Sequence, residues 1–339
     1  MFMPGSLGNV QYTEFKYMGH FCALARYPVH FHVMGDTSRG MVVRGNSVWY
    51  SGNRAYVAHE SSGILFEDNV SFDTVSSPYF VELTLTTATN RNDCSPLVQQ
   101  VPQDNAFIHN IGVESAPVDE WNNLNGAPAD ASIFWFDQQL YQTVLGNVAV
   151  GADVTSGTKT ARTAGFQLDE VCSRQVAGKP DYLVFRKNEG HSNRESGLLF
   201  WCGLCKPRDY VEFNLWRNGI RGFWWASYVN PARLFNSRFV ENGKEGVLLW
   251  TIRAHLQDSE LIAGSKPSWV NQQTGLNIVA YVASPTPDWP GQVIRTLFQN
   301  NSVDVTQAHQ TCSSPANENE PMPFRDCTQT TLNLPIILG

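Results

Sequence analysis

VRGNSV at residues 43–48 and EDNVSF at residues 67–72 are two copies of one pattern, in which a turn containing an asparagine separates two short runs with apolar residues. The two asparagines, Asn46 and Asn69, lie 23 residues apart. In stacked coils, whose strands lie about 4.8 Å apart, residues at equivalent positions come directly above one another. We therefore expect Asn46 and Asn69 to form a hydrogen-bonded ladder inside a turn rather than to carry chemistry.

The same period returns later in the chain. Apolar runs that open with glycine begin at Gly197, Gly222 and Gly246, at spacings of 25 and 24 residues. Short β-rich runs continue to about residue 283, and no amphipathic stretch of helical length lies among them. A fixed period of this size is typical of a solenoid. The sequence therefore predicts an all-β fold, a right-handed parallel β-helix with coils of about 22–27 residues.

A second feature is the run RYPVHFHVMGD at residues 26–36. His30 and His32 are two residues apart, so on a strand they point to the same face. Asp36 follows just after this strand. Two histidines on one face with a nearby carboxylate indicate a site that binds or titrates a ligand.

The period places other ionisable residues beside this run. His59 and Glu82 lie 23 residues apart, and His32 lies 27 residues before His59. We expect His32, His59 and Glu82 to form a stripe along one face, flanked by Asp36, Arg26 and Arg54. A stripe of this kind is costly to bury and unnecessary for folding, so it is a candidate functional site.

The composition narrows the classes of function. The chain has 339 residues, 42% of them hydrophobic and 16% charged, with a formal net charge of −7. It contains no basic tract, which argues against a nucleic-acid partner. It has no run of 18 apolar residues, so we expect no membrane span. The N-terminus lacks the charged and apolar regions of a signal peptide.

The composition also predicts a division of the chain. We expect the β-helix to occupy residues 1–283 and a proline-rich tail or partial module to occupy residues 284–339, which hold seven of the 18 prolines. Within this tail, Cys312 and Cys327 are candidates for closing a loop. Residues 10–15 already read as a strand, which predicts that the chain is a fragment lacking the start of its solenoid.

Four segments carry a resemblance to a known family. They are residues 14–19, the run at 26–36, VRGNSVWYSGNRAYVAH at 43–59 and GILFEDNVSFDTV at 63–75. Together they resemble the extracellular β-helix shared by the cell-migration-inducing hyaluronidase, the cell-surface hyaluronidase and the fibrocystin-like receptors. Looser similarity extends to about residue 260.

The resemblance implies a parallel β-helix, an extracellular or cell-surface location and, for part of the family, calcium-dependent depolymerisation of hyaluronan. The motif positions that it carries over are Arg26, His30, His32, Asp36, Asn53, Arg54 and His59. Three positions depart from the family pattern. Glu60 stands where the family has glycine, Ser76-Ser77 where it has Gly-His, and Glu82-Leu83-Thr84 where it has Glu-Asp-Gly, so only the glutamate is kept there.

The first hypothesis is an enzyme that cleaves an acidic polysaccharide, either as a glycosidase or as a lyase. Glu82 is then the acid, Asp36 its partner carboxylate, and His32 or His59 a proton shuttle or ligand. We expect Arg26, His30, Asn53 and Arg54 to contact the substrate. Calcium would take its oxygen ligands from Asp36 and Glu82, whereas zinc is better suited if His30, His32 and His59 converge.

The second hypothesis is a glycan-binding or receptor module without turnover, as in the fibrocystin-like branch. The departures at Glu60 and at Ser76-Ser77 favour it, whereas the intact run at 26–36 favours the enzyme. A sugar-binding face requires exposed aromatic rings. The candidates for such a face are Trp49, Trp121, Trp135, Trp201, Trp216, Trp224 and Trp225.

Overall fold

In the computed structural model the chain winds as a stack of coils, each contributing one strand to each of three long sheets. Apart from the last strand of the third sheet, the strands pair in parallel along the stack, and the chain moves up one coil with each turn. This is the predicted right-handed parallel β-helix. The structure describes residues 1–21, 23, 25–82, 103–116, 131–137, 141–153, 163–170, 183–202, 208–226, 232–250, 254–263, 274–280, 292–301, 303–312, 327–331 and 337–338.

The strands of each sheet follow one another in chain order. The first sheet contains Val10–Gln11, Val42–Arg44, Leu65–Glu67, Ala106–Ile108, Thr143–Leu145, Val184–Arg186, Arg208–Val211, Ala232–Phe235, Ala254–Gln257, Gln292–Ile294 and Ile337–Leu338. The second contains Glu14–Lys16, Ser47–Ser51, Val70–Val75, Ile111–Ala116, Val148–Ala152, Glu189–His191, Asn214–Trp216, Arg238–Val240, Glu260–Ile262 and Leu297–Gln299. The third contains Val29–Gly35, Tyr56–Ser61, Tyr79–Glu82, Phe134–Phe136, Ala164–Glu170, Ser196–Cys202, Arg221–Ala226, Glu245–Leu249, Thr274–Ala280, Val303–Cys312 and Cys327–Thr331.

The turn between the first and second sheets holds the predicted asparagine ladder. The side chain of Asn46 donates to Asn69 at 2.9 Å, and Asn69 donates to Asn110 at 2.9 Å. The ladder continues through Asn147 to Asn188, at 3.0 and 3.1 Å. These buried amides satisfy one another and the backbone of adjacent coils, so the ladder fixes the register of the stack.

Coil length varies more than the sequence predicts. The ladder asparagines are separated by 23 residues in the first step and by 41, 37 and 41 residues in the next three. Yet each step spans one coil, because the extra residues fall between strands and leave the paired positions unchanged. The expected 22–27 residues therefore hold only for the coils that carry no long insertion.

The interior is a column of apolar side chains, with aromatic rings stacked between coils. Along the third sheet Tyr56 stacks on Tyr79 at 5.0 Å, and Tyr79 on Phe134 at 4.4 Å. Phe134 stacks in turn on Phe166 at 4.9 Å. These side chains are fully buried, so the core is continuous along the axis.

The three sheets extend beyond residue 283, through the strands at 292–294, 297–299 and 303–312. The strand at 327–331 pairs with the last of these in antiparallel fashion and places Cys327 opposite Cys312 in the backbone register. The division of the chain at residue 283 stays a prediction. In the described part of the chain the one helix is the 3-10 turn Asp36–Ser38, and none there is long and apolar enough to cross a membrane.

Candidate functional site

The predicted stripe lies on the outer face of the third sheet, at its first three strands. His32 pairs with His59 in the strand register, and His59 pairs with Glu82. Alternation along each strand turns these three side chains outward, while their neighbours face the core. The three residues therefore form one column across consecutive coils, as the 23- and 27-residue spacings predict.

His30 lies in the same strand as His32 but is completely buried. Its ring is 4.8 Å from the ring of Tyr27, and its Nδ1 is 3.1 Å from the carbonyl oxygen of Ala25. Burial lowers the pKa of His30 to about 3, against the opposing effect of this hydrogen bond. The imidazole is therefore neutral, with its Nδ1–H donating to Ala25 and a lone pair left on Nε2.

The imidazole rings of His32 and His59 are in edge-to-face contact, with their centroids 4.9 Å apart. Their Nδ1 atoms are 3.0 Å apart, and both side chains are half-buried. Burial, together with the neighbouring His59, lowers the pKa of His32. One nitrogen atom from each of His30, His32 and His59 lies within 4.8 Å of the other two. The structure thus gathers three imidazoles, of which the sequence placed two in one column.

The backbone bends directly after two of these histidines. Val33 has a φ of 52° and Glu60 a φ of 42°, both in the left-handed region. The register also shifts between His32 and Gly35. For a branched residue such as Val33 this conformation costs about 1–3 kcal/mol. The glycine that the family has at the position of Glu60 is explained by the same backbone conformation.

Glu82 is held by Arg54. The guanidinium lies 3.6 Å from the Glu82 carboxylate and 3.8 Å from the centroid of the Phe80 ring. It also donates to the hydroxyl of Tyr27 at 3.3 Å. Burial raises the pKa of Tyr27, although the charge of Arg54 acts in the opposite direction. Glu82 is in addition 3.9 Å from Nδ1 of His59, so its carboxylate is fixed between a cation and an imidazole.

Two carboxylates that the sequence did not single out extend the column. Asp137 follows the strand that pairs with Tyr79–Glu82, and its backbone N–H donates to Val81 at 3.1 Å. Asp169 lies one coil further and accepts a hydrogen bond from the Trp135 indole at 2.8 Å. The sequence did contain a signal for Asp137. The segment SIFW at residues 132–135 continues to Asp137, which lies two positions after Trp135 and therefore shares its face of the strand.

Three predicted site residues lie elsewhere. Asp36 is exposed and pairs with Arg39 at 2.7 Å, beyond the bend that follows His32. Asn53 is buried, and its amide donates to the carbonyl oxygens of His20 and Ala23 at 3.0 Å each. It therefore anchors the segment that covers His30. Arg26 is exposed on the same segment.

The tryptophans divide between core and surface. Trp225 is buried inside the coil stack, while Trp135 and Trp224 are buried on the outer side of the third sheet. Trp49 and Trp216 are partly exposed on the second sheet. Trp121 and the side chain of Trp201 lie outside the described residues.

The donors at the site do not fit calcium. Calcium takes six to eight oxygen ligands, whereas the atoms that converge here are imidazole nitrogens. Of the two carboxylates predicted to hold calcium, Asp36 is paired with Arg39 and Glu82 with Arg54. We therefore assign no chemical step to calcium at this site.

Comparisons with known proteins agree with this fold. A family model described as CEMIP beta-helix matches residues 1–198. Human cell surface hyaluronidase CEMIP2 is 25% identical over 246 residues, which are 60% of this chain and 16% of that protein. Mouse fibrocystin-L is 26% identical over 160 residues, which are 41% of this chain and 4% of that protein. The chain thus spans a small part of the length of these relatives.

Among solved structures, the A-module of mannuronan C-5 epimerase AlgE6 from Azotobacter vinelandii has a TM-score of 0.42 and 10% identity. The match covers 88% of this chain and 87% of that one. Similarity at this level is too low to indicate a shared activity.

Proposed function

The chain belongs to the CEMIP beta-helix family, and we propose that it shortens an acidic polysaccharide similar to hyaluronan. The observation that carries the proposal is the column of His32, His59 and Glu82 on the outer face of the third sheet. The proposal includes an extracellular or cell-surface location, since the human relative is named as a cell surface hyaluronidase.

The column offers the carboxylate pair that glycoside hydrolysis requires. Neighbouring coils lie about 4.8 Å apart, close to the separation of about 5–5.5 Å in retaining enzymes. Asp137 is one coil from Glu82 and replaces Asp36 as the proposed partner, because Asp36 is paired with Arg39 beyond the bend. In this scheme Glu82 protonates the leaving oxygen while Asp137 attacks the anomeric carbon. Water activated by Glu82 then cleaves the bond between the sugar and Asp137.

Elimination is the alternative chemistry for the same substrate. Here the Glu82 carboxylate, 3.6 Å from the guanidinium of Arg54, removes the proton next to the uronate carboxylate. The bond to the leaving oxygen breaks as the ring double bond forms, and that oxygen takes up a proton from water. The two reactions leave different products, because only elimination creates an unsaturated uronate. The ultraviolet absorbance of that product separates them.

The test is the size distribution of high-molecular-weight hyaluronan after incubation with the purified chain, by size-exclusion chromatography. We expect shortening by the wild-type chain and its loss, by more than about 100-fold in rate, in Glu82→Gln. The matched control is Glu67→Gln, which removes a carboxylate paired with Arg44 at 2.6 Å on the first sheet. Equal rates for wild type and Glu82→Gln would exclude the proposed role of Glu82. Parallel samples with Ca²⁺ and with EDTA test the calcium dependence implied by the family.

A second candidate function is glycan binding without turnover. The contact between Arg54 and Glu82 favours this function, because a carboxylate that is engaged in an ion pair is less available for proton transfer. A folded wild-type chain that retains hyaluronan on a column but leaves its length unchanged would support this function. Glu82→Gln would then alter neither retention nor polymer length.

A further inference from the structure

The three histidines form a donor set for a transition-metal ion. The Nδ1–H of His30 donates to Ala25, which fixes the tautomer and leaves the lone pair on Nε2. That Nε2 atom is buried and, in the part of the chain that the structure describes, has no hydrogen-bond partner. A buried lone pair of this kind costs free energy unless a ligand satisfies it.

The contact between His32 and His59 also fits an ion. Without an ion, one Nδ1 must carry a proton and donate it to the other Nδ1, which is 3.0 Å away. With zinc–nitrogen bonds of about 2.0–2.1 Å, a tetrahedral site places ligand nitrogens about 3.3 Å apart. The three nitrogens here lie within 4.8 Å of one another, so zinc binding requires them to approach by at most about 1.5 Å.

We propose that His30, His32 and His59 bind one Zn²⁺ ion through a ring nitrogen of each. Three imidazoles suit zinc, and a site with three protein ligands leaves a fourth position for water or substrate. The Glu82 carboxylate lies 3.9 Å from Nδ1 of His59, so a carboxylate is next to the proposed ligands. This metal site goes beyond the proposed polysaccharide activity and does not depend on it.

The test is zinc binding by the purified full chain after EDTA treatment and desalting, measured by isothermal titration calorimetry with zinc chloride. We expect one high-affinity site per chain. His32→Gln and His59→Gln each remove one half-buried ligand and should weaken binding by more than about 100-fold. The matched control is His109→Gln, which changes an exposed histidine outside the cluster and should bind like wild type.

Cobalt substitution identifies the ligand atoms. The seven cysteines of the chain are competing zinc ligands, but thiolate ligation adds an intense charge-transfer band in the near ultraviolet. A three-histidine site should show the visible bands of tetrahedral Co²⁺ without that near-ultraviolet band. The visible bands should be lost in His32→Gln and His59→Gln and should be unchanged in His109→Gln. Circular dichroism confirms that each variant is folded.

Any of three results would overturn the proposal. One is the absence of a high-affinity zinc site in the folded wild-type chain. The second is wild-type affinity in folded His32→Gln and His59→Gln, and the third is displacement of the ion by an equal concentration of Ca²⁺. Metal content is measured separately from polymer length, so failure of the zinc site and failure of the depolymerase proposal are distinguishable.

Discussion

Asn110→Ala should be among the most destabilising single substitutions in the asparagine ladder. The Asn110 side chain accepts from the backbone N–H of Asn69 at 3.0 Å and from the Asn69 amide at 2.9 Å. It donates to the carbonyl oxygen of Phe66 and to the Asn147 amide oxygen, each at 3.0 Å. Asn69, Asn110 and Asn147 are each 0% exposed.

The expected cost follows from these four bonds. Each contributes about 1 kcal/mol net, and leaving the buried N–H of Asn69 unpaired adds about 1–3 kcal/mol. We therefore expect the free energy of unfolding to fall by about 5–7 kcal/mol. The control is Asn9→Ala, which removes a single exposed hydrogen bond to the Val42 N–H and should cost less than about 1 kcal/mol.

The assay is urea denaturation followed by circular dichroism, with the m value compared between variants. A lower m value for Asn110→Ala would indicate that the stack had lost cooperativity between neighbouring coils. The reasoning is refuted if Asn110→Ala unfolds with an unchanged m value and a free energy within about 1 kcal/mol of Asn9→Ala.

Two further predictions concern the core and the outer face of the second sheet. Phe134→Ala should lower the free energy of unfolding by about 3–5 kcal/mol, because it removes a ring that stacks on Tyr79 and on Phe166. The control Leu7→Ala changes an exposed side chain and should alter this free energy by less than about 0.5 kcal/mol. Equal effects of the two substitutions in urea denaturation would contradict the stacked core. Burial lowers the pKa of His191 below 6.5, while the charge of Glu189 opposes this shift. As pH falls, His191 is therefore protonated in the unfolded chain before it is protonated in the folded one. The stability that the neutral His191 contributes is lost as pH falls from about 6.5 through its pKa in the folded chain. Glu189→Gln should lower the His191 pKa further in an NMR titration, and an unchanged or higher pKa would argue against a charge effect.

The fold and part of the site could be predicted because a fixed period converts sequence separation into contact. Asn46 with Asn69, and His59 with Glu82, share a 23-residue spacing and lie in adjacent coils. Asp137 was missed because the coil that separates it from Glu82 contains a long insertion.

Other features depended on local geometry that a period does not describe. His30 is completely buried, and its Nδ1 is satisfied by the carbonyl oxygen of Ala25, a contact that the period does not predict. Asp36 was predicted to flank the column, yet the left-handed Val33 redirects the chain before it. The direction of the chain after Val33 is determined by the backbone conformation of the bend, which the spacing of residues does not describe.

The unequal coil lengths have a consequence for how such a chain changes in evolution and in engineering. Steps of 23 and 41 residues produce the same asparagine contacts, at 2.9 Å in both cases. Insertions and deletions between strands are therefore decoupled from the axial spacing of His59, Glu82 and Asp137. A foreign peptide grafted between Glu82 and Gln103 would lengthen one coil while leaving the positions of these side chains along the axis unchanged.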